Sequence, residues 1–194
     1  MATARVALAE LRAAGDLVPD SAAGVAAPVS AELVAEGTRG TLVAFYFGAA
    51  WCGPCQAFSP VLAQFARSRA AADALQVVFV SADRAAAAAQ SFARGKGFLS
   101  VPFDSDARSS LPKVLKVNSF PTLIVVDTRG DGRIVTRWGR AAISSERREG
   151  DVVRGWLDGR GLSAWTVAGP MVRPLGVCLA LTAALVWLVR YVRS

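Results

Sequence analysis

The chain of 194 residues has no histidine, only three cysteines, and little charge, with 19% of its residues Asp, Glu, Lys or Arg. Without imidazole, histidine general-base chemistry and histidine-ligated metal sites are excluded. Three cysteines do not make a disulfide framework. Two of them lie close together, but no second close pair supplies the four ligands of a tetrahedral zinc site, so no metal is expected. The net charge of +7 comes from scattered arginines. The one charge cluster, "ERREGD", neutralises itself with its own acids, and no nucleic-acid partner is expected. A secretory h-region is absent, and Glu10, Asp16 and Asp20 sit badly in a mitochondrial presequence, so the first residues are expected to belong to the fold.

What is abundant is apolar side chain, 53% of the total. The length suits one domain with a real core plus an appendage. "ARVALAELRAA" (4–14) has apolar positions at helical spacing and stops at Gly15. Between Ser21 and Gly40 the pattern is weak, with one short strand near Val25 to Val29 and a helical turn at "SAELVAEG". "TLVAFYF" (41–47) and "LQVVFVSAD" (75–83) are continuous apolar runs, as expected of strands covered on both faces. Between them, Phe58, Val61, Leu62 and Phe65 fall on one helical face. Strand, helix, strand in that order predicts a βαβ unit with parallel strands. A further helix runs through the alanines to about Arg94. "FPTLIVVD" (120–127) and "RIVTRWG" (133–139) read as two strands joined by "TRGDG", where Asp131-Gly132 is a hairpin signal. "DVVRGWLDG" closes the domain as a last helix at Gly159. The expected fold class is α/β, a mixed central sheet flanked by helices.

Chemistry points to "WCGPC" (51–55), directly behind the first strand, at the sheet edge where open α/β folds collect their ligands. A thiolate, not a thiol, attacks a disulfide, so a redox protein must lower one cysteine pKa toward ambient pH. A helix N-terminus does this through its unpaired N–H groups and macrodipole. Cys52 stands where the helix begins and Cys55 lies one turn on, close enough to bond to it. Pro54 is tolerated in a first turn. Cys52 is thus the expected nucleophile, forming a mixed disulfide with a partner, and Cys55 the resolving thiol. Trp51 forms an apolar lip beside the pair or, on the plainer reading, packs in the core. Pro121 opens a strand, where it removes a ladder hydrogen bond. A cis Phe120-Pro121 peptide, which would leave the preceding backbone free to pair with an extended substrate, is expected from its partnership with the cysteines. The third thiol, Cys178, reads as a small buried hydrophobe.

These residues resemble the thioredoxin superfamily, and more closely its tryparedoxin and nucleoredoxin-like branch, over roughly residues 8 to 158. "WCGPC" carries the superfamily. The branch rests on "FYFGAAWCGPCQAFSP", "VVFVSADR", "VPFD" (101–104), "SFPTLIVVD" and "GRIVTRWGR". The resemblance implies a thioredoxin-like fold and a dithiol carrier with no bound cofactor. Such a carrier is reduced by trypanothione or another small dithiol and passes electrons to peroxiredoxin-type peroxidases or other disulfide proteins. Carried over, Cys52 and Cys55 form the redox-active disulfide, and Trp51, Phe120, Pro121 and Arg140 bind substrate, Arg140 helping to hold the small dithiol. Asp83 matches an aspartate proposed to assist proton transfer. Asp83 and Arg140 also have plainer readings, a helix cap and a solvated charge. Three positions depart from the tryparedoxin pattern: Gly53-Pro54 replaces Pro-Pro, Ala82 replaces a tryptophan, and Gln56 replaces a basic residue. They bear on the reductant more than on the chemistry.

The domain is expected to occupy residues 1–160, followed by a linker (161–171) and a C-terminal tail-anchor transmembrane helix (172–192). Leu175 to Val189 is uncharged and bracketed by Arg173 and Arg190. At 1.5 Å per residue it spans about 22 Å, short of a hydrocarbon core of roughly 30 Å, and snorkelling arginines with flanking Val172, Tyr191 and Val192 extend it. The alternative is a buried terminal helix of the domain. As an anchor it would leave the redox domain facing the cytosol. The mitochondrial outer membrane is favoured, with the endoplasmic reticulum as the alternative. Two further function classes compete: a membrane-tethered thioredoxin-fold binding module with idle cysteines, and, more distantly, a secretory disulfide isomerase.

Overall fold

In the computed structural model, residues 2–19, 29–37, 41–130, 132–144 and 148–161 are described. The elements run α1 (Ala2–Ala13), β1 (Asp16–Leu17), β2 (Val29–Ser30), α2 (Ala31–Ala35), β3 (Leu42–Gly48), α3 (Gly53–Arg67), β4 (Leu75–Ser81), α4 (Ala86–Ala93), β5 (Leu99–Ser100), α5 (Ala107–Val114), β6 (Thr122–Asp127), β7 (Arg133–Thr136), α6 (Gly139–Ile143) and α7 (Glu149–Leu157). Five strands form one sheet in the order β5-β4-β3-β6-β7, and β1 pairs with β2 apart from it.

All seven residues of β3 are buried. It lies between β4, which it pairs in parallel, and β6, which it pairs antiparallel. An all-apolar run follows from that central position, since neither face meets water. Alternation then sends successive side chains to opposite layers. Val43, Phe45 and Phe47 join Val78, Val80, Ile124 and Val126 against Ala4, Ala7, Leu8 and Leu11 of α1 and Leu111 of α5. On the other face Tyr46 packs edge-on to Phe58 and Phe98. There α3 buries Phe58, Leu62 and Phe65, spaced four and three apart, and Phe65 meets Trp156 of α7 edge-on at 5.6 Å between ring centroids. Val61, expected on the same face, is 44% exposed, at the border of the buried stripe.

The β6–β7 pair is antiparallel, with a register shift between Val125 and Val126. Its turn needs glycine at 132, where φ is +76° and an added Cβ would stand 2.6 Å from a Leu8 methyl of α1. Asp131, the other half of the expected hairpin signal, lies outside the described residues. At the base of the turn Asp127 is buried. It accepts from the Arg129 Nε and Nη2 at 2.9 and 2.7 Å and from the Arg133 Nη2 at 3.2 Å. Burial works to raise its pKa, but the hydrogen bonds and charge of Arg129 and Arg133 outweigh it and hold the carboxyl below the usual carboxylate range.

The helix expected over 4–14 begins earlier, at Ala2, and the strand expected to reach residue 139 stops at Thr136, where α6 takes over. Short strand β5 and helices α5 and α6 were not foreseen. The expected strand near Val25 to Val29 survives only as the pair Val29–Ser30, the residues before it lying outside the description. Among the described residues no helix is long and apolar enough to cross a membrane. The expected linker beyond Gly161, Cys178 and the expected anchor at 172–192 lie outside the described residues.

Candidate functional site

The site begins with the exit from β3. Gly48 ends the strand, and a Cβ there would stand 3.1 Å from the Tyr46 hydroxyl and 3.4 Å from the Cys55 Sγ. Glycine thus lets the strand end come close under the second cysteine. The chain turns through Ala49 and Ala50, with the Cys52 N–H donating to the Ala49 carbonyl at 3.2 Å. Cys52 is then the N-cap of α3, in extended geometry (φ −90°, ψ 105°), with Gly53 and Pro54 opening the helix. Its Sγ accepts the Cys55 N–H at 3.3 Å, and its carbonyl takes the Cys55 and Gln56 N–H groups at 3.0 and 3.1 Å. This is the contact that an N-cap side chain makes to the third residue of its helix, here made by sulfur instead of oxygen. Cys52 and Cys55 are joined in a disulfide with Cα atoms 5.2 Å apart.

The two sulfur-bearing residues differ in access: Cys52 is 7% exposed, Cys55 not at all. Trp51 is 63% exposed, which rules out core packing for it. Its indole meets Phe120 edge-on at 6.2 Å between centroids. The Phe120-Pro121 peptide is cis. Thr122 pairs with Phe47, so Pro121 falls level with Gly48 at the strand end from which the cysteines emerge. Trp51, Cys52, Cys55, Phe120 and Pro121 therefore share one edge of the sheet.

Asp83, two residues beyond the end of β4, is 2% exposed. One carboxylate oxygen accepts the Ala50 N–H at 2.9 Å and the other the Ser81 hydroxyl at 2.8 Å. It is no helix cap, because the N-cap of α4 is Ala85 and makes no side-chain bond. Its fixed job in this arrangement is to tie the end of β4 to the turn that carries Trp51 and Cys52. Arg140 is exposed in the first turn of α6, and its guanidinium makes no hydrogen bond or ion pair among the described residues. The neighbouring Gly139 is packed on Leu123, with an added Cβ falling 2.9 Å from its Cδ2. That contact places Arg140 near the start of β6, on the cysteine side of the sheet.

Two residues that sequence reasoning passed over also serve the site. The Tyr46 hydroxyl donates to the Cys55 carbonyl at 3.3 Å, tying β3 to the first turn of α3. Burial pushes its phenol pKa well up, and the nearby Ser59 hydroxyl draws it only part of the way back. A tyrosine in an otherwise apolar buried strand was the available signal, since a buried phenol needs a partner. Arg108 of α5 donates from Nη1 to the carbonyls of Ser81 and Asp83 at 3.3 and 3.2 Å and stacks on Phe103 at 4.2 Å from its centroid, so it braces Asp83 from behind. No local pattern marks Arg108, because its partners are 25 and 27 residues away.

Comparison with known proteins agrees with this geometry. The family described as thioredoxin-like matches residues 40–134. A probable nucleoredoxin 1 of Arabidopsis thaliana is 36% identical over 107 residues, covering 55% of this chain but 18% of its own length. The chain thus spans less than a fifth of that relative. The crystal structure of native tryparedoxin I from Crithidia fasciculata superposes with a TM-score of 0.60 at 32% identity, over 71% of this chain and 90% of that one. A tryparedoxin II in complex with glutathionylspermidine superposes with a TM-score of 0.58 at 28% identity, over 68% of this chain and 85% of that one. With its disulfide-forming cysteine pair at the head of α3, the chain belongs to the thioredoxin-like family of oxidoreductases, with nucleoredoxins and tryparedoxins among its relatives.

Proposed function

We propose that the protein is a tryparedoxin-like dithiol carrier in which Cys52 is the nucleophile and Cys55 the resolving thiol. The observation that carries this reading is the asymmetry of the pair: the sulfur held at the helix N-cap belongs to the residue that reaches solvent, and its fellow is sealed beneath it. A partner disulfide can approach Cys52 alone. Its thiolate attacks one sulfur of the partner, that S–S bond breaks, and one partner thiol leaves. The Cys55 thiolate then attacks Cys52, releasing the second partner thiol and closing Cys52–Cys55, so two electrons pass to the partner. The Cys55 N–H that meets the Cys52 sulfur here would meet its thiolate in the reduced state.

Trp51, Phe120 and Pro121 frame the approach. Arg140 is proposed to help hold a small dithiol and Asp83 to assist proton transfer, both from the family resemblance. The acceptors are peroxiredoxin-type peroxidases or other disulfide proteins, and the reductant trypanothione or another small dithiol. The reductant is supported by the structural neighbour that binds glutathionylspermidine. Reduction of the oxidised protein by trypanothione, glutathione and a thioredoxin reductase, read as free thiol against time, should be fastest with trypanothione. If none of the three reduces it, the carrier reading fails and the tethered binding module takes its place.

The anchor at 172–192, with the domain facing the cytosol and the mitochondrial outer membrane favoured, is part of the same proposal. It rests on the uncharged run Leu175 to Val189. Deleting residues 170–194 should move the protein from the membrane pellet to the supernatant, and a truncated form that still sediments with membranes would refute the anchor.

A further inference from the structure

The charges around the cysteines are of one sign. Three segments build this edge of the sheet: 48–66 through the redox turn and α3, 113–126 through the end of α5 and the cis-proline, and 136–144 through α6. None of them contains an aspartate or glutamate, while Lys113, Lys116, Arg137 and Arg140 all belong to them. All four are exposed. None of the four forms an ion pair among the described residues. Asp83 is buried and its oxygens are taken, and Glu10 of α1, half-buried, accepts from the Ser110 hydroxyl one helical turn before Lys113. The exposed Asp104 and Asp106 follow β5, at the opposite border of the sheet from β7.

The fold gathers these cations on one side of the cysteines. The Arg137 Nη1 donates to the Leu115 carbonyl at 2.6 Å, which ties the end of β7 to the end of α5 and sets Arg137 beside Lys116. A carbonyl partner leaves the guanidinium charge uncancelled. Lys116 stands between that carbonyl and the loop to Phe120, with a positive φ of 52° that turns the chain out of α5. Arg140 joins them through the packing of Gly139 on Leu123. Trp51, beside Cys52 in the chain, meets Phe120 edge-on, and Phe120 lies four residues beyond Lys116. Such an uncompensated patch raises the local concentration of anions and repels cations over about one Debye length, ~8–10 Å at physiological salt.

Resting on the carrier reading above, we infer that this rim selects acceptors by charge: disulfides flanked by carboxylates are preferred, and those flanked by ammonium groups are disfavoured. The same exchange occurs in each case, with two electrons leaving the Cys52 and Cys55 thiols and the acceptor disulfide becoming two thiols. Charge acts only on the encounter.

The test uses the full chain, pre-reduced and freed of reductant. Three small symmetric disulfides serve as acceptors: dithiodipropionate (dianionic), hydroxyethyl disulfide (neutral) and cystamine (dicationic). Each single-turnover rate is divided by that of dithiothreitol with the same disulfide, which cancels differences in intrinsic reactivity. At low salt the normalised rate should be about tenfold or more higher for the dianion than for the dication, and the ratio should shrink toward one at high salt. In the double variant Lys113→Gln/Lys116→Gln the low-salt ratio should fall, and these exposed surface changes leave the core untouched. Equal normalised rates for the three acceptors, or a preference for cystamine, would overturn the inference while leaving the carrier reading intact. No turnover of the neutral disulfide would overturn both.

Discussion

Cys52→Ser should abolish disulfide reduction, and Cys55→Ser should arrest it half-way. The two substitutions are chemically alike but remove different steps. A serine hydroxyl at 52 is not ionised near neutral pH, so the first attack is lost and insulin reduction falls to background. The fall is about a hundredfold or more, the scale on which a positioned catalytic group acts. A serine at 55 leaves the attack intact, because the Cys52 sulfur keeps the Cys55 backbone N–H, which a side-chain change does not remove. What is lost is the group that displaces the partner. The Cys55→Ser protein should therefore accumulate as a covalent mixed disulfide, visible as a mass increase that a reducing agent reverses. If it is instead Cys52→Ser that captures the partner, the assignment of the two roles is inverted. The complete burial of Cys55 against the 7% exposure of Cys52 argues against that result.

The second large effect is on stability. Trp156 of α7 is 1% exposed and its ring meets Phe65 of α3 edge-on, so it fastens the last helix of the domain to the helix that carries the cysteines. Trp156→Ala removes the largest fully buried side chain of the described residues. The lost transfer energy and the cavity together cost about 3–5 kcal/mol. At roughly 2–4 °C per kcal/mol for a chain of this size, the Tm should drop by about 6–20 °C. The control lies within the same molecule: Trp51 is 63% exposed, and Trp51→Ala should leave Tm nearly unchanged. Equal shifts in the two variants would mean that α7 is not part of the core.

The sequence made some of this legible and hid the rest for physical reasons. β3, β4 and β6 could be read because strands buried on both faces leave unbroken apolar runs. α3 could be read because Phe58, Leu62 and Phe65 keep helical spacing. α5 hid behind Pro112 and two serines, with only Ala107, Leu111 and Leu115 marking its buried side. β5 is two residues long and exists only through tertiary pairing, with β4 on one side and a bridge to Val18 on the other. Val61 showed how coarse a helical stripe is at its borders.

At the site the pattern was similar. "WCGPC" announces itself because its chemistry is local: a helix start, a proline that tolerates it and two thiols one turn apart. The edge-on contact of Trp51 with Phe120 joins residues 69 positions apart, and the bond from the Ala50 N–H to Asp83 spans 33. Neither has a local signature. Asp83 was weighed as a helix cap, yet the strand order turns it inward to brace the redox turn.

The central claim is that the N-terminal turn of α3 holds the Cys52 sulfur as an anion ready to attack a foreign disulfide. Its most direct test is the rate of alkylation of the reduced protein by iodoacetamide as a function of pH. Mass mapping of the modified peptide distinguishes residue 52 from residue 55. The predicted result is that Cys52 reacts first, along a titration curve whose midpoint lies well below the ~8.5 of a free cysteine. A midpoint at the ordinary thiol value, or faster modification of Cys55, would contradict it.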